Sequence, residues 1–354
     1  MKISNRKQKT DRKRKTAIRA ALLLLLVLSL IFYRDSFGNI MEGIRQVTWK
    51  ELSISVLLAL SGYLLEGITI SCMMETVVPR IHTHGSARGY KKSGIFIAFV
   101  CEFYRLTTLG NGSGIAEIHY LTKKNIETGK ATTLTMIQYV IKRTAIMLFG
   151  VFGFLFLFFG ENAGNLCRDY LPFMGAGCLI TALVIALFLC ITLSPGLAAA
   201  ALYLLDRLRL KIPSGEETFH KWGEQITLLN RSGKEILLKK KKTAGVLCLQ
   251  SAKLVLFYSI PACFLFGKTS LTVSECVFLM AVAFMLAGVI PAPSGAISLE
   301  FVFLLFFGSF ADYQSAVTGI LLFRFATWIC PAAVGGIMLA GQRGFGLKPE
   351  RWTS

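Results

Sequence analysis

Residues 290–300 read Ile290-Pro291-Ala292-Pro293-Ser294-Gly295-Ala296-Ile297-Ser298-Leu299-Glu300, a run of helix breakers set between two apolar segments. Proline lacks the amide donor that a helix needs, and glycine weakens a helix entropically. Thr272–Ile290 precedes the break, Ala296–Phe310 follows it, and Arg324 lies inside the next apolar run. An earlier stretch repeats this arrangement. Leu109-Gly110-Asn111-Gly112-Ser113-Gly114 is followed by Glu117, and then by Lys142-Arg143 within an apolar run. Ser113 to Arg143 and Ser294 to Arg324 are both intervals of 30 residues. Broken hydrophobic segments at corresponding places in two halves are the sequence mark of a transporter site near the bilayer midplane.

Composition agrees with a membrane location. The 354 residues are 54% hydrophobic and 17% charged, with mean hydropathy +0.58. A soluble domain carries about 25% charge. Apolar runs at Ala17–Tyr33, Leu52–Val78, Gly94–Leu109, Thr132–Gly160, Leu171–Leu205, Thr243–Phe266, Thr272–Ile290, Ala296–Phe310 and Ala316–Ala340 include several long enough to cross ~30 Å of hydrocarbon at ~1.5 Å per residue. The first run follows eight Lys/Arg and is succeeded by Arg34-Asp35-Ser36-Phe37. A signal peptide would share the basic start, but no A-x-A-like cleavage site follows, so a retained anchor is expected.

Net charge is +19, which in a soluble protein would suggest nucleic acid. Here the cations lie in short loops and at the termini, and no nucleic-acid partner is expected. They set the topology instead. If each break is the tip of a re-entrant hairpin, 28 Lys/Arg fall inside and 5 outside. The fold expected is an all-α polytopic membrane protein with about six full transmembrane helices plus two re-entrant helical hairpins in inverted repeats. Eight transmembrane helices are the alternative. The expected organisation is a basic cytoplasmic tail (1–16) and a membrane domain (17–340), with repeats at about 52–160 and 243–340, a cytoplasmic connector (206–242) and a second cytoplasmic tail (341–354). In the connector, Phe219, Trp222, Ile226 and Leu229 recur at helical spacing and suggest a helix on the membrane surface. Lys239–Lys242, which follows, would attract an anionic membrane surface or simply fix orientation.

No catalytic constellation stands out. The nine cysteines form no C-x-x-C pair and read as small packing residues, with only Cys167 in a loop. His82-x-His84 lacks a third ligand, so no metal site and no cofactor are expected. Gly110-x-Gly112-x-Gly114 lacks the remaining features of a dinucleotide fingerprint.

The site is therefore sought at the breaks. Half-helix N-termini attract anions, and Ser-Gly tips let backbone amides approach a phosphate. Arg143 and Arg324 would add guanidinium forks suited to a phosphodiester. A charge at mid-membrane costs ~2.5–3.5 kcal/mol, so these residues are expected to act. Glu117–Arg143 and Glu300–Arg324 could equally be ion pairs that hold the hairpins in place. Glu66, Glu102, Arg105, Lys142 and Lys253 also fall inside apolar runs, and Glu102 and Arg105 are spaced to pair on one helix face.

Arg105-Leu-Thr-Thr-Leu-Gly-Asn-Gly-Ser-Gly-Ile-Ala-Glu117, Lys142-Arg143, and Pro293-Ser294-Gly295 with Glu300 and Arg324 resemble the lysylphosphatidylglycerol synthase transmembrane domain family, the flippase half of the multiple peptide resistance factor. The resemblance spans roughly residues 20–340. Pro293-Ser294-Gly295 departs from the family's usual Pro-Gly-Gly, and His119-Tyr120 stand where the family often has an Arg. The resemblance implies a bacterial plasma-membrane protein with both termini cytoplasmic. It would move anionic or aminoacylated phospholipid between leaflets and contribute to cationic-peptide resistance. Substrate-binding residues would be Arg105, Gly112, Ser113, Gly114, Glu117, Arg143, Ser294, Gly295, Glu300 and Arg324. Full-length members add a lysyltransferase domain. The 14 residues after Ala340 leave no room for one, so a separate lipid synthase would be a partner. A lysyltransferase-family component and a membrane scaffold are the competing expectations.

Overall fold

The computed structural model describes residues 45–77, 87–108, 110, 112–160, 163–211, 239–290 and 297–341, with scattered positions between 223 and 237. Met1–Thr48 and Trp49–Ser354 are separate units, and the second carries the fold. The first expected span, Ala17–Tyr33, lies outside the described residues, as do His82 and His84.

Among the described residues twelve helices follow in order: α1 (Trp49–Val77), α2 (Ala87–Thr107), α3 (Gly112–Thr122), α4 (Thr128–Phe158), α5 (Gly164–Asp169), α6 (Leu171–Leu193), α7 (Pro195–Lys211), α8 (Lys240–Leu265), α9 (Val273–Ala287), α10 (Ser298–Phe307), α11 (Tyr313–Arg324) and α12 (Cys330–Ala340). The described residues contain no strand. Among the described residues five segments are long and apolar enough to span a bilayer: α1, α4, α6, α8 and the continuous α11–α12. The chain is an all-α polytopic membrane protein. Large apolar side chains point outward from it, including Leu183 on α6, Phe152 on α4, Phe301 on α10 and Ile337 on α12. Water would penalise such a surface, and lipid does not.

Helices α9 and α10 have 15 and 10 residues and reach only ~22 and ~15 Å, short of the hydrocarbon thickness. They pack on each other, as α2 and α3 do. The neighbour pattern is itself repeated. Helix α1 packs on α2 as α8 packs on α9; α3 meets α4 as α10 meets α11; α2 lies on α12 as α9 lies on α4. At the centre α1 packs against α8. These two run antiparallel. Lys239 Nζ donates to Thr76 O (2.6 Å) at the C-terminal end of α1, and Lys268, beyond the end of α8, reaches Glu51 at the start of α1 (4.0 Å). Equivalent helices therefore have opposite directions, and the repeats are inverted.

Small residues set the helix spacing, as expected where lipid supplies no hydrophobic drive between helices. A Cβ at Gly94 of α2 would strike Gly67 O of α1, and one at Gly335 of α12 would strike Phe99 O of α2. Gly150 and Gly153 of α4 sit against Met285 and Phe278 of α9 in the same way. Cys167 lies buried in the short α5 rather than in an open loop.

The described part of the connector packs on neighbouring helices. Ile226 and Leu229 turn inward, lining an apolar cavity with Met136, Phe188, Ile191 and Leu205. Asn230 Nδ2 donates to Ile191 O (2.9 Å) near the end of α6, using a carbonyl that the helix leaves unpaired. Phe219 and Trp222 lie outside the described residues.

Candidate functional site

Two segments from each repeat, α2 and α4, α9 and α11, converge with α8 on a cavity of about 240 Å³. Five cations line it: Arg105, Lys142, Arg143, Lys253 and Arg324. Three of these are held by carboxylates. Arg324 donates to both oxygens of Glu300 (2.5 and 2.9 Å), tying α11 to α10 across the second hairpin. Arg105 Nη1 donates to Glu102 one turn earlier on α2 (2.7 Å). Lys253 Nζ donates to Glu66 Oε2 (3.0 Å) and lies 5.1 Å from the Tyr63 ring centroid and 5.0 Å from that of Phe257.

Glu66 is the node of the interior. Gln138 of α4 (3.1 Å) and Gln250 of α8 (2.7 Å) also donate to it, so its carboxylate joins α1, α4 and α8. A buried charge is tolerated only when paired and hydrogen-bonded, and Glu66 satisfies both conditions.

Lys142 and Arg143 are different. Among the described residues no carboxylate forms an ion pair with either. Arg143 Nε donates to the Tyr139 hydroxyl (3.0 Å), and its guanidinium lies 5.2 Å from that ring. Two of the five lining cations thus have no carboxylate in ion-pair contact among the described residues, inside a low-dielectric interior. Such cations attract an anion.

The residues singled out from the sequence divide. Arg105, Arg143 and Arg324 line the cavity, and Glu300 braces Arg324. The expected Glu117–Arg143 pair does not form. Glu117 faces Thr135, and its Oε1 is buried without a hydrogen-bond partner of good geometry. Gly112, Ser113 and Gly114 open α3 away from the lining. The Gly112 amide is already taken by Thr108 Oγ1 (2.7 Å). Side-chain cations, not the N-terminus of α3, therefore make this wall positive. Ser294 and Gly295 lie outside the described residues.

The sequence reading missed Tyr63, Tyr139, Phe257 and Trp328, the aromatic faces on which the cations rest. Arg324 lies 4.0 Å from the Trp328 ring centroid. It also missed a π-helical turn, Phe325–Ile329, between α11 and α12. Pro331 has no amide to offer Thr327 O, and the buried Tyr63 hydroxyl donates to that carbonyl instead (2.9 Å). Pro331 was the available signal, since proline inside an apolar run frees a carbonyl four residues earlier.

Among the described residues no cluster of three metal-ligating side chains occurs. No curated protein matches the chain. The sequence profile of the family described as "Lysylphosphatidylglycerol synthase TM region" matches residues 17–335, nine-tenths of the sequence including every cavity-lining cation, and the chain belongs to that family.

Proposed function

We propose that this protein moves an anionic or aminoacylated phospholipid between membrane leaflets, with the headgroup passing through the cationic cavity. The observation that carries this reading is the pair Lys142 and Arg143, two cations among membrane helices to which no carboxylate is bonded among the described residues. A phosphodiester supplies the missing charge, and guanidinium offers it paired donors. Lipid tails would remain outside against the apolar faces of the short helices, while the inverted repeats give two related halves that can open alternately.

Arg143 is the group placed to bind phosphate. Arg324 is braced by Glu300 and holds the second hairpin next to the same space. The membrane assigned is the bacterial plasma membrane with both termini cytoplasmic, supported by the bias of Lys/Arg toward one set of loops. Exchange of fluorescent phospholipid in proteoliposomes tests the proposal. Wild type is expected to equilibrate the label between leaflets, and Arg143→Ala to lose that exchange while still inserting. A wild-type protein that leaves every phospholipid in its original leaflet would overturn it.

A further inference from the structure

Resting on that reading, we infer that the cavity takes a phosphodiester headgroup without an ammonium and rejects the aminoacylated form. Five protein cations line the cavity, and among the described residues no Asp or Glu is in the lining. The carboxylates paired with lining cations are engaged: Glu66 receives three donors, Glu300 gives both oxygens to Arg324, and Glu102 accepts from Arg105, while Glu117 is buried beside Thr135 outside the lining.

Aromatic faces are the other resting place for an ammonium; four of the six lining rings carry a protein cation, and the remaining two, Phe284 and Phe323, pack edge-on against each other. Arg143 occupies Tyr139, Lys253 occupies Tyr63 and Phe257, and Arg324 occupies Trp328. A free carbonyl would serve as well, but Thr327 O already accepts from Tyr63. Size points the same way. About 240 Å³ lies below the ~300–1,000 Å³ of pockets for drug-sized ligands, which suits a glycerol phosphodiester better than its lysyl ester. Like charges set against a competitor are how a site excludes it.

The test measures leaflet exchange of fluorescent phosphatidylglycerol and lysyl-phosphatidylglycerol in phosphatidylcholine proteoliposomes of the full chain. Wild type and Lys142→Glu are compared. Wild type is expected to move phosphatidylglycerol at least ~10-fold faster. Lys142→Glu, which places a carboxylate in the lining, should shrink or reverse that ratio. Should Lys142→Glu not fold, Lys142→Gln is expected to narrow the ratio in the same direction. Equal or faster exchange of the lysylated lipid by wild type overturns the selectivity and leaves transport standing. If neither lipid moves and inorganic phosphate alone changes Trp328 fluorescence in a single-tryptophan variant, the site belongs to a free anion and both readings fall.

Discussion

Nη1 of Arg143, on α4, occupies the space in which a Cβ at Gly288 would stand. Gly288 caps the C-terminal end of α9. An arginine of the first repeat is thus seated on the end of a hairpin helix of the second, where the partial negative charge of the helix terminus favours a cation.

Gly288→Ala should therefore move Arg143 without removing it. Exchange is expected to fall about tenfold or more, because displacing a positioned group by ~1 Å costs on the order of 100-fold in the extreme. The thermal midpoint in detergent should change little, since a flexible side chain can retreat from the new methyl. Unchanged exchange would detach Arg143 from the transport path.

Arg324 presents a fork to Glu300, and a lysine cannot reproduce it. Arg324→Lys keeps the charge but loses one of two bonds across the second hairpin. It is expected to destabilise by ~1–3 kcal/mol, as does Glu300→Gln, and the double variant should cost less than the two singles added together. Thermal unfolding of all three variants gives the coupling directly. Simple additivity would mean that the pair does not hold the hairpin.

The contrast between Arg324 and Arg143 shows how far the sequence could be read. Interval counting found both arginines and both breaks, and five of the six expected crossings coincide with the five spans of the structure. It misassigned the carboxylate partner. Glu300 stands 24 residues before Arg324, whereas the residue 24 before Arg143 is His119, not Glu117. The first repeat thus has an exposed imidazole where the second has its carboxylate, and Arg143 is left without one. The register was present in the sequence. The aromatic seats were not, because Tyr63, Tyr139 and Trp328 lie on three different helices and only packing brings them to one cavity. What covers the connector was open for a related reason. Helical spacing of Ile226 and Leu229 defines an apolar face without saying whether lipid or α4 and α6 will cover it.

Tyr63→Phe removes the hydrogen bond from the Tyr63 hydroxyl to Thr327 O at the π-helical turn. The ring is otherwise retained, so packing against Phe99 and Phe257 is preserved. A buried carbonyl that loses a donor costs up to about 1–3 kcal/mol. The loss should appear as a lower thermal midpoint and faster amide exchange near Cys330, where the helix resumes.

Outside the apolar spans, Asp312 caps α11, accepting from the Ser315 amide (2.9 Å). That bond holds its carboxyl below the ordinary 3.8. A lowered folded value means that the cap contributes fully at neutral pH and loses its contribution as pH falls through that value. Asp312→Ala is expected to cost ~1 kcal/mol near pH 7, a modest figure because the side chain is exposed. The difference between variant and wild type should close below about pH 4. A gap that persists at low pH would assign the effect to something other than the charged cap.

Glu66 offers the sharpest separation of structure from transport. Lys253 is 3% exposed, and Glu66→Gln would leave its ammonium without a counter-charge in a dry interior. Breaking such a pair from one side costs about 3–5 kcal/mol. Replacing both members with leucine removes the stranded charge, and double replacements of this kind are often near neutral for stability. It also takes one cation from the cavity together with its carboxylate, and leaves Lys142 and Arg143 in place. The double variant should therefore recover most of the thermal midpoint lost by Glu66→Gln and keep measurable lipid exchange. Recovery of stability with complete loss of exchange would place Lys253 in the headgroup path beside Arg143.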